Sequence, residues 1–175
     1  NKTEKMKDNS GIIVNRVAKS GILTLNLEDF YPQTEIALFD VKDYLFMEMI
    51  LKEKDFRKAL KELDWSVYAD KMVAIFCSVD AIVPVWAYML VATKLDGVAK
   101  NVVFGTSELA KSFLFQETLQ QIDVEAYRDK MVVIKGCGKK EVPPFAYVEI
   151  TRLLKPVVKK LMYGEPCSTC LLYTS

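Results

Sequence analysis

Two stretches of the chain repeat the same order of apolar and polar positions. Residues 68–88 read YADKMVAIFCSVDAIVPVWAY, and residues 127–147 read YRDKMVVIKGCGKKEVPPFAY. In each, a short apolar run (KMVAIF or KMVVIK) has the length and the β-branched content of a buried strand. A loop follows, and then a proline, Pro84 or Pro143, at a first helical position, where its missing N–H costs nothing. The pattern therefore predicts a strand, a loop and a helix in each stretch.

The likeness between the two stretches extends beyond them, with corresponding residues 59 positions apart in the chain. Each helix is followed by a further apolar run, NVVFG or KLMYG, closed by a glycine that permits a sharp turn. Strand–helix–strand units of this kind place their strands parallel, joined by right-handed crossovers. We therefore predict an α/β fold with a mostly parallel sheet flanked by helices, built from an internal duplication of residues about 48–106 and 107–165.

An N-terminal two-strand segment is predicted ahead of the duplication. Residues 21–41 (GILTLNLEDFYPQTEIALFDV) read as two strands around a turn at Tyr31-Pro32. Residues 42–63 (KDYLFMEMILKEKDFRKALKEL) then read as a long helix with a charged outer face. Because no linker or low-complexity stretch interrupts these elements, residues 1–175 are predicted to form a single domain.

Both ends of the chain carry signs of residues from outside the native sequence. Asn1 is not an initiating residue, whereas Met6 can be one. The final CLLYTS resembles the translation of a common sequencing-library adaptor. We therefore expect the native sequence to span residues 6–169, and we expect Cys170 to have no function.

The amino-acid composition limits the classes of molecule that the protein is expected to bind. Hydrophobic residues make up 51% of the chain and charged residues 27%, which is typical of a globular protein. The net charge of +1 provides no strong field to attract nucleic acid or an anionic membrane. Met72–Ala92 is long and apolar enough to approach a bilayer span, but Pro84 divides it and the equivalent copy carries several charges. We therefore predict no nucleic-acid partner and no membrane partner.

The chain has four cysteines and no histidine. The absence of histidine excludes the commonest general base, the Ser-His and Cys-His nucleophile pairs, and most zinc sites of mixed ligation. Cysteines in a chain with no visible export signal indicate a reducing compartment, so we expect a cytoplasmic protein with free or metal-binding thiols.

Three of the cysteines follow predicted strands. Cys77 ends VAIFC, Cys137 follows VVIKG, and Cys167 lies just beyond KLMYG. Because ligands of parallel sheets bind at the carboxyl ends of the strands, these thiols are candidates for one metal site, with Asp80 and Glu165 as candidate additional ligands. Soft thiolate ligands without histidine favour zinc, copper(I) or an iron–sulfur cluster over magnesium or calcium, and we take an iron–sulfur cluster or zinc as the candidates. The alternative interpretation is that each cysteine is a small buried hydrophobe.

Two further interpretations of these features remain. Cys137 is flanked by Gly136 and Gly138 and followed by two lysines, an environment that lowers the pKa of a thiol and suits a nucleophile or a sulfur carrier. A non-catalytic interaction protein, in which the duplicated sheet is only a scaffold, is the alternative from a different class. The chain contains no phosphate-binding fingerprint and no paired acid–base motif, and the sequence therefore assigns no reaction.

Several motifs together resemble a known family. These motifs are IVNRVAKSGILTLNLEDFYP, LKEKDFRKAL, FCSVDAIVPVWAYMLVATKL, VVIKGC and YGEPCST. They are similar to those of the bacterial domain-of-unknown-function family 2480, found mainly in Bacteroidota. The resemblance places the family's cysteines at Cys77, Cys137 and Cys167. It implies an accessory role in iron–sulfur cluster or metal metabolism, with iron–sulfur assembly proteins as partners, and it implies no activity.

Overall fold

The computed structural model describes residues 21–136, 138–165 and 168–175. Its regular elements are, in chain order, β1 (Ile22–Asn26), β2 (Ile36–Asp40), α1 (Glu53–Glu62), β3 (Met72–Phe76), α2 (Val85–Leu95), β4 (Asn101–Phe104), α3 (Ser107–Leu119), β5 (Met131–Lys135), α4 (Pro144–Leu154), β6 (Lys160–Glu165) and β7 (Ser168–Thr174). Short 3-10 helices lie between them, at Leu27–Phe30, Val41–Tyr44, Trp65–Tyr68 and Val124–Tyr127. The α/β prediction, with mostly parallel strands flanked by helices, is confirmed.

The described chain divides into two compact units, each with its own sheet. Unit 2, Gln33–Leu114, contains the three-stranded sheet β2-β3-β4, in which both pairs of strands are parallel. Unit 1 consists of the residues up to Pro32 together with Phe115–Ser175. It contains the sheet β1-β5-β6-β7, parallel except for the last strand, which runs antiparallel to β6.

The duplication is visible element by element. The strands β3 and β5, the helices α2 and α4, and the strands β4 and β6 begin at corresponding positions of the two copies. Asp70 and Asp129, which precede the central strands, both adopt a left-handed backbone, with φ of 59° and 57°. Their N–H groups donate to Val98 and Val157, which also correspond. Equivalent turns therefore precede both central strands.

The two N-terminal strands are present, but they do not pair with each other. Ile22 lies opposite Met131 in unit 1, and Ile36 lies opposite Met72 in unit 2. Each strand runs directly into a 3-10 helix, where Asn26 in β1 and Asp40 in β2 accept a hydrogen bond from the backbone N–H two residues later. The strand and the 3-10 helix are therefore a further repeated pair, which the sequence comparison missed.

The prediction of a long helix over residues 42–63 is wrong for the first half of that range. The helix α1 begins only at Glu53. Ahead of it lie the 3-10 helix Val41–Tyr44, capped by the Asp40 carboxylate, and a tight turn in which Met47 and Glu48 have positive φ angles of 51° and 55°. A left-handed backbone at two consecutive residues is incompatible with a right-handed helix.

The core of each unit lies between its central strand and its helices. In unit 2 the side chains of Phe39, Phe56 and Val91 are buried in one cluster. In unit 1, Leu25 corresponds to Phe39 and Ile150 corresponds to Val91, and both are buried in a second cluster. Within the described part of the chain, no helix has the length and apolar character needed to cross a membrane. Met72–Ala92 forms β3, a loop and most of α2, as predicted.

Candidate functional site

A cysteine thiol lies at the carboxyl end of β3, in a loop whose backbone also binds the carboxylate of Asp40. Cys77 follows β3 directly, and its half-buried thiol donates to the carbonyl oxygen of Val79 at 3.4 Å. The next residue, Ser78, donates its backbone N–H to Asp40 Oδ1 at 3.1 Å. The same oxygen accepts the backbone N–H of Lys42 at 2.9 Å. Asp40 therefore joins the end of the edge strand β2 to the loop that follows the central strand.

This arrangement shifts two pKa values. Burial alone would raise the pKa of Asp40, but hydrogen bonds from Ser78 and Lys42, with the positive charge of Lys42, hold it below its usual value. Burial raises the pKa of Tyr88, and its electrostatic interactions with Cys77 and with the Asp40 carboxylate raise it further. The site therefore combines an ionised carboxylate, a thiol and a protonated phenol.

An aromatic pair lies beside this site. The rings of Tyr88 in α2 and Phe104 in β4 meet edge to face, with centroids 4.9 Å apart. Phe104 ends β4, so the pair joins the helix to the outer strand of the three-stranded sheet. Because Phe104 is 65% exposed, one side of this pair faces solvent.

Unit 1 contains the equivalent site with different chemistry. Gly136 replaces Cys77, and the aromatic pair consists of Tyr147 and Tyr163, with centroids 5.8 Å apart. A Cβ on Gly136 would lie 2.5 Å from the Tyr147 hydroxyl oxygen, so the glycine makes room for that hydroxyl. An apolar groove of about 630 Å³ lies beside the pair and is lined by Ile134, Tyr147, Val148, Thr151, Tyr163 and Leu172.

The predicted metal ligands are only partly described. Cys77 belongs to unit 2, whereas Cys137 and Cys167 lie outside the described residues, so their convergence remains a prediction, as does the role of Cys137 as a nucleophile or sulfur carrier. Asp80 is exposed, and Glu165 forms an ion pair with Lys135, with Nζ and Oε1 3.0 Å apart. Among residues 21–136, 138–165 and 168–175, no three cysteine or acidic side chains are grouped to hold a metal ion.

An exposed apolar surface in unit 2 was not predicted. We call it the methionine patch, and it consists of Phe46, Met47, Met49, Ile50 and Ile82. Met47 is 71% exposed and Ile82 is 91% exposed. The residues are joined through the backbone, because Ile50 forms bridges with both Phe46 and Ile82. The signal in the sequence was the mostly apolar run LFMEMIL, which was included in the long helix predicted over residues 42–63.

Backbone geometry holds the patch in position. The N–H of Phe46 donates to the carbonyl oxygen of Ile50 at 2.8 Å, and the N–H of Ile50 donates back at 3.2 Å. The turn thereby closed contains the left-handed Met47 and Glu48. Glu48 forms an ion pair with Lys42, with Oε1 and Nζ 3.3 Å apart. The turn therefore exposes two methionine side chains to solvent, although two of its residues adopt an unfavourable left-handed backbone conformation.

The family comparison agrees with the resemblance carried by the motifs. The family described as "Protein of unknown function (DUF2480)" matches residues 11–175. The chain belongs to this family. No curated protein and no solved structure matches the chain. Because the family's description names no reaction, ligand or partner, a function has to be argued from the geometry of the two units.

Proposed function

We propose that the protein is a non-catalytic interaction protein that binds a partner through the methionine patch. The observation that carries this proposal is the exposure of five contiguous large apolar side chains at one end of unit 2. Contiguous apolar surface of this kind typically marks an interaction site. Methionine side chains are flexible and polarizable, and are therefore common on surfaces that adapt to a partner.

The strained backbone of the patch supports the same proposal. Met47 and Glu48 both occupy the left-handed region, where neither side chain is favoured. Each such residue costs on the order of 1–3 kcal/mol, and strain of this size is concentrated at functional sites. The strain is therefore consistent with a turn whose shape is kept for binding.

Site-specific cross-linking tests the methionine patch. With p-benzoylphenylalanine in place of Met47, in cells of a bacterium that carries this family, we expect a discrete adduct on denaturing gels. The same photoreactive residue at Val67, which is 53% exposed in the same unit, serves as the matched control and should give no such adduct. Ile82→Lys should abolish the Met47 adduct, because it places a charge in the patch.

Two results would contradict the proposal. An equal yield of adducts from Met47 and Val67 would indicate random collisions. An adduct at Met47 that persists in Ile82→Lys would show that the patch is not the binding surface. Circular dichroism of each variant checks that the fold is retained, as expected for substitutions of exposed side chains.

The second candidate function is an accessory role in iron–sulfur cluster or metal metabolism, with iron–sulfur assembly proteins as partners. The observation that favours it is the position of Cys77 at the carboxyl end of the central strand β3, with a half-exposed thiol. Cys137 follows β5, the corresponding central strand of unit 1. In this proposal Cys77, Cys137 and Cys167 hold an iron–sulfur cluster or zinc, and Asp80 and Glu165 are candidate additional ligands.

Metal content of the anaerobically purified chain tests this second candidate. We expect iron with acid-labile sulfide, or zinc, in a fixed ratio to protein, and loss of that metal in Cys77→Ser, Cys137→Ser and Cys167→Ser. Cys170→Ser is the matched control and should keep the metal, because the prediction assigns Cys170 no function. A metal-free protein whose thermal stability is unchanged by the three substitutions would rule out this role and leave the interaction proposal intact.

A further inference from the structure

A small pocket lies next to the methionine patch in unit 2. It has a volume of about 270 Å³, and we call it the acidic pocket. Two acidic residues, one lysine and three aromatic residues line it: Asp43, Asp55, Lys52, Tyr44, Phe46 and Phe56. Phe46 also belongs to the methionine patch, so the two surfaces are continuous. We infer that the acidic pocket receives a basic side chain, arginine or lysine, of the polypeptide that binds the methionine patch.

This inference rests on the proposed function, because it specifies the kind of polypeptide that docks on the methionine patch. It adds a charge requirement that the apolar patch alone does not impose. The methionine patch can therefore bind a partner even if the acidic pocket takes no part, and the two proposals are separable by experiment.

Two carboxylates give the acidic pocket its charge. Asp43 lies in the 3-10 helix Val41–Tyr44, and Asp55 lies in the first turn of α1. Both are exposed, and neither forms an ion pair with another residue of the described ranges. Together with the Lys52 ammonium, they give the lining a net formal charge of −1. The pocket is therefore complementary to a cation.

The aromatic wall of the pocket already binds a cation. The Nζ atom of Lys52 lies 3.5 Å from the centroid of the Phe46 ring. Tyr44 and Phe56, which line the same pocket, form an edge-to-face pair with ring centroids 5.7 Å apart. Ring faces attract ammonium and guanidinium groups, and the methylene stems of lysine and arginine pack on apolar surface. A partner's basic side chain can therefore place its stem against these rings and its charge near the carboxylates.

The volume of the pocket favours a single side chain over a free ligand. Sites for small molecules and cofactors usually have volumes of about 300–1,000 Å³, and the acidic pocket, at about 270 Å³, is smaller. Arginine is frequent among the residues that dominate the binding energy of interfaces, where such residues fill pockets. A partner that matches both surfaces therefore has apolar residues that cover Met47, Ile50 and Ile82, with an arginine or lysine next to them.

The carboxylate of Asp55 is not required by the fold. In the other copy of the duplication the corresponding residue is Leu114, which is 3% exposed and packs with Met72 and Ala74. The same position of a helix can thus be apolar and buried. In α1 it is acidic and exposed instead, and it adds a second negative charge to a pocket that already contains Asp43.

Unit 1 supplies a cation to its own aromatic pair. The rings of Tyr31 and Phe115 meet edge to face there, and Phe115 corresponds to Phe56. The Nζ atom of Lys140, from the loop after β5, lies 5.0 Å from the centroid of the Tyr31 ring. Lys140 corresponds to Ala81, and the loop after β3 (CSVDAIV) contains no basic residue. Unit 2 therefore has an aromatic pair of the same geometry, to which the equivalent loop contributes no cation.

Peptide selection provides a probe that requires no known partner. Random peptides displayed on phage are selected on the immobilised full chain, and peptides that also bind Ile82→Lys are discarded. The remaining peptides are those that depend on the methionine patch. We expect them to share an arginine or a lysine flanked by large apolar residues.

Synthetic, fluorescently labelled copies of these peptides test the charge pair by fluorescence anisotropy. Asp43→Asn combined with Asp55→Asn should weaken binding to the full chain by at least about tenfold, because the charges are lost and the side-chain size is kept. Citrulline in place of the peptide arginine, or acetylation of the peptide lysine, should cause a similar loss. The two losses should not add, since both break one contact. The change in the peptide leaves the chain unaltered, so that result does not depend on the folding of a variant.

The matched control is Glu53→Gln combined with Glu62→Gln. It removes two charges from α1 at positions that do not line the acidic pocket, so it should leave the affinity nearly unchanged. Circular dichroism checks that each variant keeps the fold, as expected for exposed side chains.

The inference fails on any of three results. Peptides that depend on the methionine patch but carry no basic residue would show that the acidic pocket takes no part, and would leave the patch as the binding surface. Basic peptides that bind the Asp43→Asn, Asp55→Asn variant as tightly as the wild type would place their charge elsewhere. The absence of any peptide that Ile82→Lys excludes would show that no such segment docks there. Cross-linking at Met47 in cells does not depend on these results, so it tests the methionine patch separately.

Discussion

Replacing Phe39 with alanine should lower the free energy of unfolding by about 3–5 kcal/mol, the usual cost of truncating a buried phenylalanine. Phe39 is 1% exposed in the core of unit 2. Its ring stacks on those of Tyr44 and Trp65, with centroid distances of 5.2 and 5.8 Å, and contacts Tyr68 at 6.1 Å. Because these large, rigid side chains cannot collapse into the vacated space, a cavity remains and adds to the loss of apolar burial.

Urea denaturation monitored by circular dichroism measures this effect. The matched control is Phe113→Ala, because Phe113 is 42% exposed and its truncation should cost less than about 1 kcal/mol. A loss in Phe39→Ala no larger than that in Phe113→Ala would contradict the placement of Phe39 at the centre of the aromatic cluster.

The same titration tests whether residues 1–175 behave as a single domain. Both tryptophans of the chain, Trp65 and Trp86, lie in unit 2, so tryptophan fluorescence reports on that unit alone. Far-ultraviolet circular dichroism reports on both units. Under the single-domain proposal, the two signals of Phe39→Ala change at the same urea concentration. A fluorescence transition that precedes the dichroism transition would show instead that unit 2 unfolds independently.

The duplication could be predicted because the repeated residues fix the turns. Asp70 and Asp129 are identical in the two copies since a left-handed backbone there tolerates few residues besides glycine, asparagine and aspartate. Gly105 and Gly164 both have positive φ angles as well, of 142° and 120°. The repeated first strand was missed for a different reason. Ile22 and Ile36 are only 14 residues apart, so a comparison at the spacing of the other elements does not align β1 with β2.

The start of α1 could not be predicted from propensity. The segment LFMEMILK is rich in good helix formers, and an amphipathic helix was the natural interpretation. Hydrogen bonds that depend on the fold decide otherwise: Asp40 is held by Ser78, which is distant in the chain, and Ile50 bridges to Ile82. Tertiary contacts thus override local preference, as they do for short segments generally.

The sequence indicates where a candidate site lies more than which residues form it. The rule that ligands of parallel sheets bind at the carboxyl ends of the strands directs attention to the loop after β3, where Cys77 lies. It could not identify Asp40 or Tyr88 as neighbours, because their approach depends on strand order and helix orientation.

Substituting Gly136 with alanine should lower the free energy of unfolding by about 1–3 kcal/mol, the usual cost of overpacking. The added Cβ would lie 2.5 Å from the Tyr147 hydroxyl oxygen and 3.0 Å from the adjoining ring carbon. The Tyr147 ring cannot turn away freely, because it packs on Tyr163 and on the core of unit 1. Backbone strain does not contribute, since Gly136 has no left-handed φ angle.

A double-mutant cycle separates this clash from other effects of the substitution. Tyr147→Phe removes the closest atom, so Gly136→Ala should cost clearly less in that background, with a coupling of about 1 kcal/mol or more. Gly97→Ala is the control, because nothing lies within 4 Å of its added Cβ and only its φ angle of 71° is strained. The cost of Gly97→Ala should therefore not change with Tyr147→Phe. Strict additivity for Gly136 and Tyr147 would contradict the close approach of the hydroxyl. A confirmed coupling would show that Gly136 makes room for the Tyr147 hydroxyl, at the position where Cys77 carries a Cβ in unit 2.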